Sequence, residues 1–190
     1  MSKKRIWSIA ALVIVSACSR DEVARYRVPK SDPGAATPAP PPPPDASAVG
    51  TLQWTLPKGW TEERSQGGMR YATIRPTPTG KGKVEVSVTV FPGPAGGELA
   101  NVNRWRNQIG LPPVDEGALA KDRKSLGSPA GKLALFDYAS DEKDPTRMVA
   151  AILFDGGNSW FVKMVGPREA VTATRADFIH LLESLRLARP

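Results

Sequence analysis

The stretch MVAAILFDGGNSWFVKMV, residues 148–165, decides the fold. Two apolar runs, residues 148–154 and 160–165, flank Asp155-Gly156-Gly157-Asn158, and glycine at the tight positions of a short loop is typical of a β-hairpin. Residues 133–139 form a further apolar segment of strand character just before them. The sequence therefore predicts a three-stranded antiparallel meander.

Period-two alternation predicts further strands in the first half of the domain. The signal is clearest where four valines alternate with polar residues, at Val84, Val86, Val88 and Val90. Residues 52–56 and 69–75 have the same character, and Pro57-Lys58-Gly59 turns the chain toward Trp60. We expect the valine strand to bury its valine face.

Helical patterns separate and follow the two sets of strands. Residues 101–109 predict a helix that Gly110 and Pro112 end, and a short helix is expected near residues 115–121. Thr174-Arg175-Ala176-Asp177 is similar to a capping box, and it precedes an apolar face made by Phe178, Leu181, Leu182 and Leu185. This arrangement predicts an α+β fold, a mainly antiparallel sheet with helices that cover one or both faces.

The order of strand, P-x-G-W turn, hairpin, helix, meander and C-terminal helix resembles the Mog1/PsbP-like fold. The local marks are Pro57-Lys58-Gly59-Trp60 and residues 178–187. The segment GGELANVNRWRNQIGLP, residues 96–112, is similar to one in bacterial lipoproteins of unknown function. The resemblance spans about residues 52–187. It implies an accessory or binding role, and it carries over neither catalytic residues nor a GTPase or photosystem partner.

Residues 1–17 have the features of a lipoprotein signal peptide. Lys3, Lys4 and Arg5 precede the apolar residues 6–15, a segment too short for a bilayer core, which needs about 20 apolar residues in a helix. Val15-Ser16-Ala17-Cys18 resembles a lipobox, which implies cleavage before Cys18 and its acylation, for example with palmitate. The alternative is a plain secreted protein with a free thiol. Ser19 in place of Asp implies forwarding to the outer membrane.

The residues that follow the anchor predict a tether and then one domain. Residues 18–50 contain eight of the nineteen prolines and almost no aliphatic side chains after Val28, so they cannot form a core. At about 3.1 Å per residue in polyproline II, the tether would reach at most about 100 Å. A proline ligand for a partner is the alternative. Residues 51–190 are the size of one α+β domain.

Composition argues against several functions. Removal of the signal lowers the formal charge from +7 to +4 without a clustered basic stripe, so no nucleic-acid partner is expected. His180 is the only histidine and Cys18 the only cysteine, too few for a zinc site of the usual type. Asp141-Glu142-Lys143-Asp144 lacks calcium-loop spacing, and the glycine-rich residues 93–97 match no phosphate-loop motif. We expect no enzyme activity, cofactor or metal.

The densest cluster of groups able to recognise a partner lies on the first predicted helix. It consists of Asn101, Asn103, Arg104, Trp105, Arg106 and Gln108. Tryptophan and arginine are common anchors of protein interfaces. The simpler interpretation is structural, with Trp105 in the core beside Val102 and Ile109 and an arginine stacked on it or paired with an acid of the adjacent loop. The prediction is an envelope lipoprotein that docks to another envelope protein through this helix and Leu111-Pro112-Pro113. The alternative is a glycan or peptidoglycan binder that uses exposed tryptophans among Trp54, Trp60 and Trp160.

Overall fold

A computed structural model describes residues 51–141, 143–155 and 157–188. The predicted signal peptide, Cys18 and the tether lie outside these residues. The strands are β1 (Thr51–Gln53), β2 (Thr61–Arg64), β3 (Arg70–Arg75), β4 (Glu85–Pro92), β5 (Lys124–Ser128), β6 (Gly131–Ala139), β7 (Thr146–Asp155), β8 (Asn158–Pro167) and β9 (Arg186–Ala188). The helices are α1 (Gly97–Gln108), α2 (Glu116–Asp122) and α3 (Arg168–Glu183).

Seven strands form one sheet in the order β2-β3-β4-β8-β7-β6-β5. Each pair of neighbours in this sheet is antiparallel. Strands β1 and β9 form a separate antiparallel pair. The predicted α+β fold with a mainly antiparallel sheet is confirmed, and the meander of β6, β7 and β8 lies where the sequence predicts it.

Both faces of the sheet are buried at the central β7–β8 hairpin. Val149, Ala151 and Leu153 pack into a core with Phe178 and other residues of α3. The alternate residues of the same strand pack into a second core with Val102 and Trp105 of α1 and Leu119 of α2: Met148, Ala150 and Ile152. Because successive side chains of a strand point to opposite faces, the apolar run of β7 requires helices on both sides.

Strand β4 buries its valine face as expected. Val86 and Val88 have no exposed surface, and Val84 and Val90 pack partly buried against the same core. Ser87 lies on the opposite face and is also largely buried, with its hydroxyl donating to the Lys163 carbonyl at 3.4 Å. The period-two pattern thus identifies which face meets α3.

The predicted capping box at Thr174 is wrong. Helix α3 begins at Arg168, so Thr174 lies inside the helix, where it is buried and its hydroxyl donates to the Ala170 carbonyl at 3.0 Å. The Thr174 hydroxyl thus finds its hydrogen-bond acceptor inside the helix and does not cap the helix N-terminus. The leucine face that follows is placed as predicted, with Phe178, Leu181, Leu182 and Leu185 fully buried.

The P-x-G-W segment forms the turn that the sequence predicts. The Trp60 amide donates to the Pro57 carbonyl at 3.1 Å, and Gly59 has φ of +80°. This combination is typical of a type II turn, which needs glycine at its third position. A Cβ atom at Gly59 would also come within 2.6 Å of the Thr77 hydroxyl oxygen. The turn leads Trp60 into the core.

We expect Phe178→Ala to lower the free energy of unfolding by about 3–5 kcal/mol, because it removes a fully buried ring from the α3 core and leaves a cavity. The matched control is His180→Ala, whose side chain is 75% exposed on the same helix; a change within about 0.5 kcal/mol is expected. Urea unfolding of both variants measures the difference. Similar losses for the two variants would contradict this packing of α3.

Candidate functional site

The two most buried candidates on α1 hold the fold together. The Asn101 side-chain amide donates to the carbonyls of Ala95 at 2.8 Å and Gly97 at 2.7 Å, which ties the start of the helix to its entry loop. Trp105 is 7% exposed and meets the Phe161 ring edge to face at 5.8 Å. Both side chains are therefore buried within the domain.

Asn103 and Arg106 fix the loop that follows α1. Asn103 donates to the Val114 carbonyl at 2.9 Å and accepts from the Val114 amide at 2.8 Å. Arg106 donates through Nε to the Pro112 carbonyl at 2.8 Å, and its guanidinium lies 4.7 Å from the centre of the Tyr138 ring. The loop that includes Pro112 is therefore held against the helix, although Pro112 and Pro113 remain exposed.

Arg104 and Gln108 are the exposed members of the predicted cluster. Arg104 donates to the Asn101 side-chain oxygen at 2.8 Å. Gln108 accepts from the Lys163 ammonium group at 2.7 Å, and burial, followed by the charge of Arg70, lowers the pKa of Lys163. The six candidates are thus close together, but each has a role inside the domain. Asn101 and Trp105 are buried, Asn103 and Arg106 are half-buried, and Arg104 and Gln108 are exposed.

The tryptophans of the domain are buried. Trp54, Trp60, Trp105 and Trp160 are each at most 7% exposed. Trp54 also donates through its indole nitrogen to Glu62 at 2.9 Å, and the Arg64 guanidinium covers its ring at 4.5 Å. Sugar binding by stacking needs an exposed aromatic face. Residues 51–188, as far as they are described, present no exposed tryptophan for this purpose.

The other positions considered from the sequence have ordinary surroundings. His180 lies 3.2 Å from Glu183 on an exposed helix surface. Glu98, beside the glycine-rich loop, pairs with Arg123 at 3.0 Å, and Asp141 pairs with Arg168 at 2.6 Å. Among the described residues, no group of three or more His, Cys, Asp or Glu side chains is placed to hold a metal ion.

A feature that no sequence pattern indicates lies on β6: among the described residues, part of this strand has a neighbouring strand on one side only. The pairing of β5 with β6 begins at Lys124 opposite Leu135, whereas β6 stays paired with β7 as far as Ala139 opposite Arg147. Within residues 51–141, 143–155 and 157–188, residues 136–139 therefore have no strand on the β5 side. We call this four-residue segment the β6 step.

A cleft lies on each side of the β6 step. The α3-side cleft has a volume of about 500 Å³, and the α1-side cleft about 440 Å³. Five basic and three acidic side chains line the two clefts, and Lys124, Asp137 and Ala139 border both of them. The basic residues are Arg106, Lys121, Lys124, Arg147 and Arg168, and the acidic residues are Asp122, Asp137 and Asp141.

Asp137 organises the α3-side cleft. Arg147 donates to both of its oxygens, at 2.8 and 2.9 Å, and Arg175 donates to one of them at 2.9 Å. Burial acts to raise the pKa of Asp137, but the hydrogen bonds and charges of Arg147 and Arg175 outweigh it and hold the pKa below its ordinary value. Two guanidinium groups share one carboxylate, so the cleft keeps a positive charge.

Tyr138 separates the α1-side cleft from the core. Burial, together with the charge of Asp122, raises the pKa of Tyr138 to about 12. The phenol is therefore neutral at physiological pH, and it supports the Arg106 guanidinium without adding a negative charge. Asp122 lines this cleft together with Arg106 and Lys121, and Asp137 borders it.

We expect Asp137→Asn to lower the free energy of unfolding by about 1.5–3 kcal/mol at pH 7, because Arg147 and Arg175 lose their charged acceptor. The native-state pKa of Asp137 is lowered, so its stabilisation is fully present above the unfolded-state value, about 3.9, and is lost as the pH falls through the native value.

The measurement is denaturant unfolding of wild type and Asp137→Asn between about pH 7 and pH 2, with exposed Asp177→Asn as the control. The difference in the free energy of unfolding between wild type and Asp137→Asn should disappear at acid pH. A difference that does not change with pH would contradict the ion-pair assignment.

Comparison with known proteins shows similarity at the level of the fold. No protein-family model matches the sequence, and no curated protein matches it significantly. The structure is similar to LpqN of Mycobacterium tuberculosis, described as involved in cell envelope biogenesis, with a TM-score of 0.51 and 9% identity over 76% of this chain and 87% of LpqN.

Two further solved structures are similar at lower TM-scores. A Bacteroides thetaiotaomicron protein gives 0.43 at 9% identity over 73% of this chain, which spans 45% of that protein. The solution structure of cyanobacterial PsbP from Synechocystis gives 0.37 at 13% identity, over 75% of this chain and 95% of PsbP. Strand order, the P-x-G-W turn and the similarity to LpqN agree with the predicted Mog1/PsbP-like α+β domain.

Proposed function

We propose that this chain is a lipid-anchored protein of the cell envelope whose α+β domain docks, without catalysis, to another envelope protein. The observation that supports docking is the pair of basic clefts on either side of the β6 step. Exposed charge next to an unpaired strand is a surface that a partner can recognise in both shape and charge.

Anchoring rests on the N-terminal sequence. Val15-Ser16-Ala17-Cys18 follows a basic and then an apolar segment, and Cys18 is the only cysteine of the chain. Acylation would use that thiol and leave none in the exported domain. LpqN, which shares the fold, is described as involved in cell envelope biogenesis, and an envelope location for this chain agrees with that description. No helix in the described part of the chain is long and apolar enough to span a membrane.

A non-catalytic role is supported by the way the ionisable side chains are used. Asp137 is held as a carboxylate by two arginines, and a carboxyl with a lowered pKa is a poor general base at neutral pH. His180 is exposed and faces Glu183 on the helix surface. Nucleophilic catalysis by a histidine–carboxylate pair needs a nucleophile within hydrogen-bond reach. Among the described residues, the side-chain contact of the His180 imidazole is with Glu183.

The sequence-predicted contact and the clefts meet at Arg106. Arg106 and Leu111 belong to the helix and loop that the sequence singles out, and both line the α1-side cleft. The proposed docking surface therefore runs from Leu111 and Arg106 across the β6 step to Arg147 and Arg168. Arg104 and Gln108, farther along α1, remain candidates for its border.

The anchor is tested by labelling cells with radioactive palmitate. We expect the wild-type chain and Ser19→Ala to incorporate label, and Cys18→Ser to incorporate none, because the thiol is the proposed acylation site. Label on the Cys18→Ser protein would show that the acyl group is attached at a residue other than Cys18.

Docking is tested by cross-linking the full chain in intact cells. The double variant Lys121→Glu/Lys124→Glu reverses two exposed charges of the clefts, and Lys58→Glu/Lys132→Glu reverses two exposed charges that line neither cleft. We expect the cross-linked partner to be lost in the first variant and kept in the second, with both melting like wild type. A partner retained by both variants would place docking elsewhere. The absence of any protein partner for wild type would contradict docking.

A further inference from the structure

We propose that the β6 step binds an extended acidic segment of the partner by strand addition. The inference rests on the proposed docking function and specifies its mode. An extended peptide that adds to an open sheet edge gains affinity from main-chain hydrogen bonds and specificity from alternate side chains. The β6 step offers both kinds of contact.

The register of two hairpins shows which backbone groups of β6 face the open side. Ser128 pairs with Gly131 and Asp155 pairs with Asn158, so each hairpin closes on a two-residue loop. The closing pair of such a hairpin is hydrogen-bonded, and hydrogen-bonded pairs alternate along an antiparallel ladder.

The alternation directs the backbone groups of Leu133 and Leu135 toward β5. It directs those of Phe136 and Tyr138 toward β7, in agreement with the 2.8 Å bond from the Ser140 amide to the Thr146 carbonyl on the same side. Asp137 and Ala139 therefore direct their amide and carbonyl groups toward the side that β5 does not reach. These four groups form a template for one added strand.

The surroundings of the template specify the charge of the added strand. A strand laid along the β6 step would point successive side chains alternately toward the α3-side and α1-side clefts. Arg147 and Arg168 line the first cleft, Arg106 and Lys121 line the second, and Lys124 borders both. Asp137 is shared by Arg147 and Arg175, and Asp141 pairs with Arg168. The surplus of positive charge therefore comes chiefly from Arg106, Lys121 and Lys124, which face one further acid, Asp122. Glutamate or aspartate side chains fit on both sides.

The same charges disfavour a second copy of this chain as the occupant. Two β6 steps paired with each other would bring the same basic residues together, and like charges across an added strand are destabilising. Basic residues beside an open edge are a known device against edge-to-edge association. An acidic segment of another protein removes this repulsion. The β6 step therefore favours an acidic strand over the β6 step of a second copy.

The test uses capped nine-residue peptides added to the isotope-labelled full chain in detergent micelles. The first peptide alternates glutamate with valine. A second peptide has the same sequence, but the backbone amides along one edge of the extended strand are methylated. In a third peptide the amides along the other edge are methylated. Each methylated peptide keeps its charge but cannot donate hydrogen bonds along one edge. A fourth replaces glutamate with lysine. Amide hydrogen exchange at Asp137 and Ala139 is the readout.

We expect the glutamate–valine peptide to slow exchange at Asp137 and Ala139 by at least about tenfold. At least one methylated peptide and the lysine peptide should leave these amides unchanged. Slower exchange in the protein alone, increasing with its concentration, would identify a second copy as the occupant and would overturn the acidic-partner proposal. Failure of the glutamate–valine peptide to bind at millimolar concentration would also overturn it.

A variant of the protein separates strand addition from simple charge attraction. Ala139→Pro removes an amide that faces the open side and leaves the ladder with β7 intact, since proline is tolerated on an open strand edge. Ala139→Val keeps the amide and is the matched control. In cells, Ala139→Pro should lose the cross-linked partner while Ala139→Val keeps it.

If Ala139→Pro melts like wild type and still captures a partner that Lys121→Glu/Lys124→Glu loses, strand addition is wrong although docking stands. If wild type captures no partner, the docking function itself fails. In that case binding of the glutamate–valine peptide would still show an acidic-strand site. A loss of partner accompanied by a melting change would be re-examined with the methylated peptides, which leave the protein unaltered.

Discussion

The fold depends on one constraint: the central β7–β8 hairpin must be shielded from water on both faces. The buried run from Met148 to Leu153 sends alternate side chains into two separate cores. One core is closed by α3, and the other by α1 with α2. Neither helix layer can be removed without exposing half of the hairpin, so the helices at both sides hold their positions chiefly through burial of apolar surface.

The same arrangement explains why the edge of β6 stays open although both faces of the sheet are covered. Helices α1 and α3 cover the faces of the sheet, but a helix on a face does not satisfy the backbone groups at its edge. Strand β5 covers the edge of β6 only from Gly131 to Leu135. The remaining part of β6 lies between the two helix layers, where arginines from α1, α3 and β7 converge. The charged clefts are thus a product of the layers and of the short edge strand together.

The sequence predicts the parts of the fold whose side-chain pattern matches their burial. The valines of β4, the apolar run of β7 and the leucines of α3 have this property. Strand β2, Thr61–Arg64, is mostly exposed and polar, so it has no apolar period and was missed. The beginning of α3 was missed because Ala170 and Thr174 face the core with small side chains. Arg106 is a candidate from its sequence pattern, and it lines one of the clefts. The β6 step could not be predicted, because it results from where strand pairing stops, and the arginines that hold Asp137 are separated along the chain.

The pairing of β1 with β9 has a consequence for the order of events in the life of the chain. Leu52, near the start of the domain, is fully buried and lies opposite Leu187, near its end. This pair of strands therefore cannot form until residues 186–188 have been synthesised and are free to pair. If the chain is exported as proposed, the pair forms only after these residues have crossed the membrane. At that point both ends of the domain are present in the same compartment.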